Sequence, residues 1–292
     1  MTLASSKMNP TGQLSHRFGG LSGIKQLKEL RNKLNDPQIC SELLDKFQLL
    51  HRIFLASNTQ ILSIGEHYQK ENMLADINDL WVSNDHSTQL AKFSLPSVRK
   101  TVREAWTTTT QVNFCAKAYP TVASNHKDNA ILHVLAGYLR NGFLHRAIRE
   151  QGGAYGGGAG QDANSASFRF YSYRDPRLLD TLNDFDKSIQ WLLSAEQSSH
   201  HLEEAILGVI ANMDKPSSPA GEAKQAFYNG LFNRTLEHRM TFRERVLSTT
   251  LADLRNVAQT YFDPSSASIG VIINRDSENV LQDKDFDIKY MQ

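Results

Sequence analysis

A chain of 292 residues is long enough to bury a substantial core. Its 32 basic residues stand against 31 acidic ones, so the long-range attraction to phosphate that nucleic-acid binding needs is missing, and no nucleic-acid partner is expected. Two cysteines, Cys40 and Cys115, make neither a disulfide framework nor a four-ligand metal site, and they fit a reducing compartment.

The stretch from Met1 to Gly23 is rich in Ser, Thr, Asn and Gly and has no apolar secretory core, so it reads as a flexible linker. No apolar run in the chain approaches the roughly 20 residues of a membrane-spanning helix. The expectation is a soluble, intracellular chain without a membrane partner, in the cytoplasm or the mitochondrial matrix alike. Leu21, Ile24, Leu27, Leu30 and Leu34 recur at helical spacing and stop at Asn35-Asp36-Pro37. A second helix spans about Ile39 to Phe54, and Thr59 to Glu66 reads as a strand. His67 to Asp79 is expected to be helical and Val82 to Leu95 a loop. Thr107 to Tyr119, "TTTTQVNFCAKAY", alternates with period two and is rich in β-branched and aromatic residues, the pattern of one strand.

From about Asp128 to Arg149, Ile131, Leu132, Leu135, Tyr138, Leu139, Phe143, Leu144 and Ile148 sustain one apolar face, which predicts a core helix ending at Gly152-Gly153. A glycine-rich turn and two strands follow, of which Ser167 to Tyr173, "SFRFYSY", alternates, and then a helix from Leu178 to Leu193. Further helices are expected from His200 to Met213, from Ser218-Pro219 onward, and with breaks to Tyr261. Ser268 to Ile273 is a strand. The domain boundaries expected from this order are 1–38, a linker and helix remnant of a preceding domain; 39–275, one α+β domain; and 276–292, a tail.

The run "HRAIREQGGAYGGGAG" is dense in glycine, but it follows a helix and precedes a strand. A phosphate loop has the reverse order, with the positive N-terminal end of the helix facing the anion, so a nucleotide site does not fit here. A helix cap explains Gly152 and Gly153. It leaves Gly156, Gly157 and Gly158 beside the lone phenol of Tyr155 to be explained, and a run without side chains would let a peptide backbone come close to that phenol. Taken without context, Tyr155 could equally be a half-buried aromatic on a sheet, and Arg149 a cation that complements the C-terminal end of its helix.

The run "LRNGFLHRAIREQGGAYGGGAG" followed by "FRFYSYRDPR" resembles the C-terminal domain of the pitrilysin and insulinase peptidases, most of all their presequence protease branch. The resemblance is sharp over Asn129 to Leu193 and looser elsewhere. It implies an α+β fold of the pitrilysin type, with an antiparallel-rich sheet and helices on one face. It also implies that Arg149 and Tyr155 reach across a closed chamber to a zinc site in an N-terminal half, with Gly156, Gly157 and Gly158 along the substrate. A phenol O–H suits the oxyanion that forms when a peptide bond is attacked, and the planar fork of an arginine suits a carbonyl or carboxylate.

Peptidases of this kind bind zinc through His-x-x-Glu-His. None of the ten histidines fits that spacing. The nearest is His200-His201-Leu202-Glu203-Glu204, where His200 and Glu204 could at most be two ligands, and a solvated first helical turn explains both carboxylates. "YRDP" at Tyr173 to Pro176 reads as a turn from strand to helix, and Arg243-Glu244-Arg245 as a solvated face. The resemblance therefore implies the non-zinc-binding part of an endopeptidase for unfolded peptides such as presequences, inactive alone and completed by an N-terminal half that carries the motif and the zinc. Two rivals stand beside it: a catalytically inactive scaffold subunit of the same fold, and a small-molecule binder using the glycine loop.

Overall fold

The computed structural model describes residues 1–57, 59–80, 98–194 and 199–291, and among them six strands form one sheet. The strands are β1 (Arg103–Thr108), β2 (Phe114–Pro120), β3 (Gly156–Asp162), β4 (Ser167–Tyr173), β5 (Ser268–Asn274) and β6 (Asp287–Tyr290), in the spatial order β3-β4-β2-β5-β1-β6. Each neighbouring pair from β3 to β5 is antiparallel, whereas β1 runs parallel to both β5 and β6.

Ten α-helices accompany it among the described residues: α1 (Pro10–Gly19), α2 (Leu21–Lys33), α3 (Pro37–Ala56), α4 (Lys70–Leu80), α5 (Asp128–Leu139), α6 (Leu179–Leu193), α7 (Ser199–Met213), α8 (Pro219–Leu231), α9 (Leu236–Leu247) and α10 (Leu251–Tyr261). The chain divides into two compact units. One contains residues 1–27, 95–215 and 236–292 and holds the whole sheet; the other contains residues 28–94 and 216–235 and is helical.

In the sheet unit, alternation along the strands sends Cys115 and Tyr119 of β2, Phe168 and Phe170 of β4, and Ile269, Val271 and Ile273 of β5 into one core. The buried face of α5 (Leu132, Leu135, Leu139), Phe185 and Leu192 of α6, and Leu254 and Val257 of α10 meet them there. Each of the large fully buried side chains contributes about 1.5–3 kcal/mol by leaving water. The helix predicted from Asp128 to Arg149 is one continuous rod. Beyond α5 it widens into a π-helical segment, Arg140–Gln151, and the step from buried Leu139 to buried Leu144 is five residues, the period of that wider ladder.

Four expectations are corrected. The stretch 1–23 is not a flexible linker: Leu3, Ala4 and Met8 are buried, Pro10–Gly19 is the helix α1, opened by Pro10 and capped by Asn9, and Ala4 and Met8 cluster with Ala116 and Ala118 on the sheet face away from the main core. Small residues make this approach feasible, since a Cβ on Gly270 would lie 2.7 Å from Cγ of Leu3. Thr107 to Tyr119 is two strands, β1 and β2, with β5 hydrogen-bonded between them; at the break, the Thr110 hydroxyl donates to the Val112 carbonyl at 3.0 Å and satisfies the backbone locally. Residues 59–66 form no strand: the helical unit has no strand partner for them among the described residues, and Ile61, Leu62 and Ile64 are exposed. Finally, the segment 276–292 carries β6, whose pairing with β1 extends the sheet. The expected loop from Val82 to Leu95 lies outside the described residues.

The helical unit contains α3, α4 and α8. Asp36 caps α3 by accepting from the Gln38 amide at 2.9 Å, and Ser218 caps α8 by accepting from the Gly221 amide at 3.2 Å, with Pro219 opening the helix as its sequence predicts. No residue of α3 is buried, and Leu44, Phe47, Leu50 and Phe54 lie exposed along it.

Candidate functional site

The glycine-rich corner joins the end of the long helix to the edge of the sheet. Arg149 stands in the last helical turn. Its carbonyl accepts from the Gly153 amide at 3.1 Å, and the Ile148 carbonyl accepts from the Ala154 amide at 3.1 Å. Gly153 has φ +77°, the left-handed turn that ends the helix and that a side chain would strain. Ala154 is buried and anchors the corner, while the next side chain, Tyr155, is 70% exposed. The Tyr155 amide donates to the Arg174 carbonyl at 3.2 Å.

The glycines that follow are not a loose turn. Gly156, Gly157 and Gly158 open β3, the edge strand of the sheet, and pair with Tyr173, Ser172 and Tyr171 of β4. Their surroundings differ. A Cβ on Gly157 would meet Cγ2 of Ile148 at 2.7 Å, and one on Gly158 would meet the stem of Arg140 at 3.2 Å, so close packing of helix on strand requires Gly157. A Cβ on Gly156 would meet nothing within 4 Å.

The structure thus brings Arg149, Tyr155 and the three glycines to one corner of the sheet unit. No hydrogen bond, ion pair or ring contact links Arg149 to Tyr155 among the described residues, and the Arg149 guanidinium has no ion pair there. A cation and a phenol that are both exposed beside a side-chain-poor edge strand can donate hydrogen bonds to a carbonyl-bearing chain laid along it.

Among the described residues no three His, Cys, Asp or Glu side chains are grouped to hold an ion. His200 and Glu204 form an exposed pair at 3.4 Å, with His201 at 3.6 Å from the same carboxylate. These groups do not fit a zinc centre.

The sequence pattern does not reveal the side of the corner built by Tyr173, Asp175 and Arg177, where "YRDP" reads as a turn alone. Tyr173 lies edge-on to Tyr155, ring centroids 5.9 Å apart. Asp175 is fully buried, and its carboxylate accepts from the Arg177 amide at 2.9 Å and the Thr181 hydroxyl at 2.8 Å. Arg177 in turn donates to the Ala147 carbonyl at 3.2 Å. Counting the β3–β4 hairpin register, which sets Gly156 opposite Tyr173, is the signal that could have revealed Tyr173.

Residues 103–274 match the family model described as the PreP C-terminal domain. The chain belongs to the presequence protease family. It is 31% identical over 276 residues to the mitochondrial presequence protease of Yarrowia lipolytica, an alignment covering 93% of this chain and 27% of that protein. The chain therefore spans about a quarter of the length of that presequence protease. Solved structures with this fold include a protease from Helicobacter pylori (TM-score 0.53, 14% identity, 69% of this chain and 52% of that one) and pitrilysin (TM-score 0.51, 13% identity, 77% and 25%). This chain accordingly has the α+β pitrilysin-type fold that the resemblance implies.

Proposed function

We propose that this chain is the C-terminal, non-zinc-binding part of a metalloendopeptidase for unfolded peptides such as presequences, and that it works with an N-terminal half carrying His-x-x-Glu-His and the zinc. The observation that carries this reading is the exposed Tyr155 and Arg149 at the mouth of a glycine edge strand, inside the stretch that matches the presequence protease model. A peptide lying along β3 would meet glycine backbone at 156–158, with the Tyr155 hydroxyl available to donate to the scissile carbonyl oxygen as negative charge develops on it. Arg149 would hold a neighbouring carbonyl or carboxylate in register. The mitochondrial names of the relatives support the mitochondrion as its place of action. No helix among the described residues is long and apolar enough to cross a membrane.

The test is cleavage of a fluorogenic peptide of about 20 residues by this chain alone, by the N-terminal half alone and by the two combined. Activity is expected only in the combination, and Tyr155→Phe should lower kcat by about 10²–10³, the cost of one oxyanion donor. Chelator-sensitive cleavage by this chain alone would overturn the reading. A combination indifferent to Tyr155→Phe would favour the inactive-scaffold alternative.

A further inference from the structure

Tyr155 is 70% exposed, so its ring would sample several rotamers unless a neighbour limited it. Tyr173 is that neighbour, meeting it edge-on at 68° with centroids 5.9 Å apart. Tyr173 is 44% exposed and has two ring contacts besides Tyr155. Phe114 packs edge-on against it at 5.3 Å, and the Arg174 guanidinium lies 5.7 Å from its ring centroid.

The backbone beneath is fixed. Gly156 and Tyr173 are a terminal register pair of the β3–β4 hairpin. Arg174 then turns with φ +50°, a conformation that a residue with a side chain adopts only when its surroundings impose it. Those surroundings are visible: Asp175 exchanges two backbone hydrogen bonds with Asn113, at 2.7 and 2.8 Å. Arg177, besides bonding the Ala147 carbonyl, pairs with Asp184 at 3.1 Å. The turn is thereby tied both to β2's approach and to the helix that carries Arg149.

We propose that Tyr173 is a positioning residue, whose ring, in contact with Phe114 and Arg174, sets the direction in which the Tyr155 phenol points. This rests on the reading of Tyr155 as a donor to the bound peptide. The turn "YRDPR" is then part of the working site as well as a link between strand and helix.

The test uses this chain combined with its N-terminal half. Tyr173→Ala should lower kcat about three- to tenfold, the range of one aromatic pair, with KM unchanged. Tyr173→Phe, which keeps the edge-on ring, should restore kcat. Introduced into the Tyr155→Phe background, Tyr173→Ala should cost nothing further, because no donor remains to be aimed. An unchanged kcat in Tyr173→Ala, a change in KM alone, or an equal loss in the Tyr155→Phe background would overturn the proposal. If the alanine variant does not fold, Tyr173→Leu keeps the bulk without the ring and is expected to show the same loss. A Tyr155→Phe variant with full activity would instead refute the underlying reading of Tyr155. The contact has a readout of its own: 3-fluorotyrosine at position 155 should give a fluorine resonance that moves toward the free amino acid in Tyr173→Ala and not in Tyr173→Phe. An unmoved resonance overturns it.

Discussion

Gly156 and Gly157 are adjacent, yet a methyl group would meet open space at one and the Ile148 side chain at 2.7 Å at the other. Gly157→Ala should therefore destabilise the protein by about 1–3 kcal/mol through overpacking, whereas Gly156→Ala should leave the melting temperature unchanged and raise KM for peptide if the substrate backbone approaches there. Calorimetry and a peptide titration separate the two; equal stability losses would show that the steric argument is wrong. At this scale the candidate site is legible in the sequence only in part. Arg149 and Tyr155 stood out because a helix end and a glycine run frame them, and the glycines looked alike because a sequence does not show which of them faces a helix. Tyr173 and Arg177 were hidden for a related reason: their partners, Tyr155 and Ala147, lie 18 and 30 residues away in sequence.

At the level of elements, the β3–β4 hairpin is closed by Asp162. Burial opposes its ionisation, but the Ser165 hydroxyl, the Arg169 guanidinium and the Asn164 and Ser165 amides together hold its pKa below the ordinary 3.8. A depressed carboxylate stabilises the fold above its unfolded pKa and loses that contribution as pH falls through the folded value. Asp162→Asn should then be less stable than the parent by about 1.5–3 kcal/mol at neutral pH, with the difference shrinking below pH of about 4. A pH-independent difference in chemical denaturation would count against the network. Helices were the most legible elements, because apolar periodicity and caps such as Asp36, Ser218 and the Gly152-Gly153 stop are local signals. Strands were less so: whether "TQILSIGE" or "TTTTQVNFCAKAY" pairs depends on partners far along the chain, and among the described residues the first has none while the second is split to admit β5.

Over the whole molecule, the two thiols fall in different units, Cys40 exposed in the helical one and Cys115 buried in the sheet core. Burial pushes the Cys115 thiol up to about 12, so the reactive thiolate is scarce there. Iodoacetamide at mild alkalinity should label Cys40 in the native protein and reach Cys115 only when denaturant opens the sheet; mass spectrometry showing comparable native labelling of both would contradict the buried core. The edge strand β3 has a different kind of consequence. An edge made of Gly-Gly-Gly-Ala-Gly offers amides and carbonyls but almost no side chains, so it compares no letters of an incoming chain. What it can sense is whether that chain is free to extend and lend its own amides. If peptides bind along β3 as proposed, folded proteins and proline-rich or N-methylated segments would be refused and unrelated sequences accepted alike: the filter would act on a physical state of the peptide instead of on its spelling.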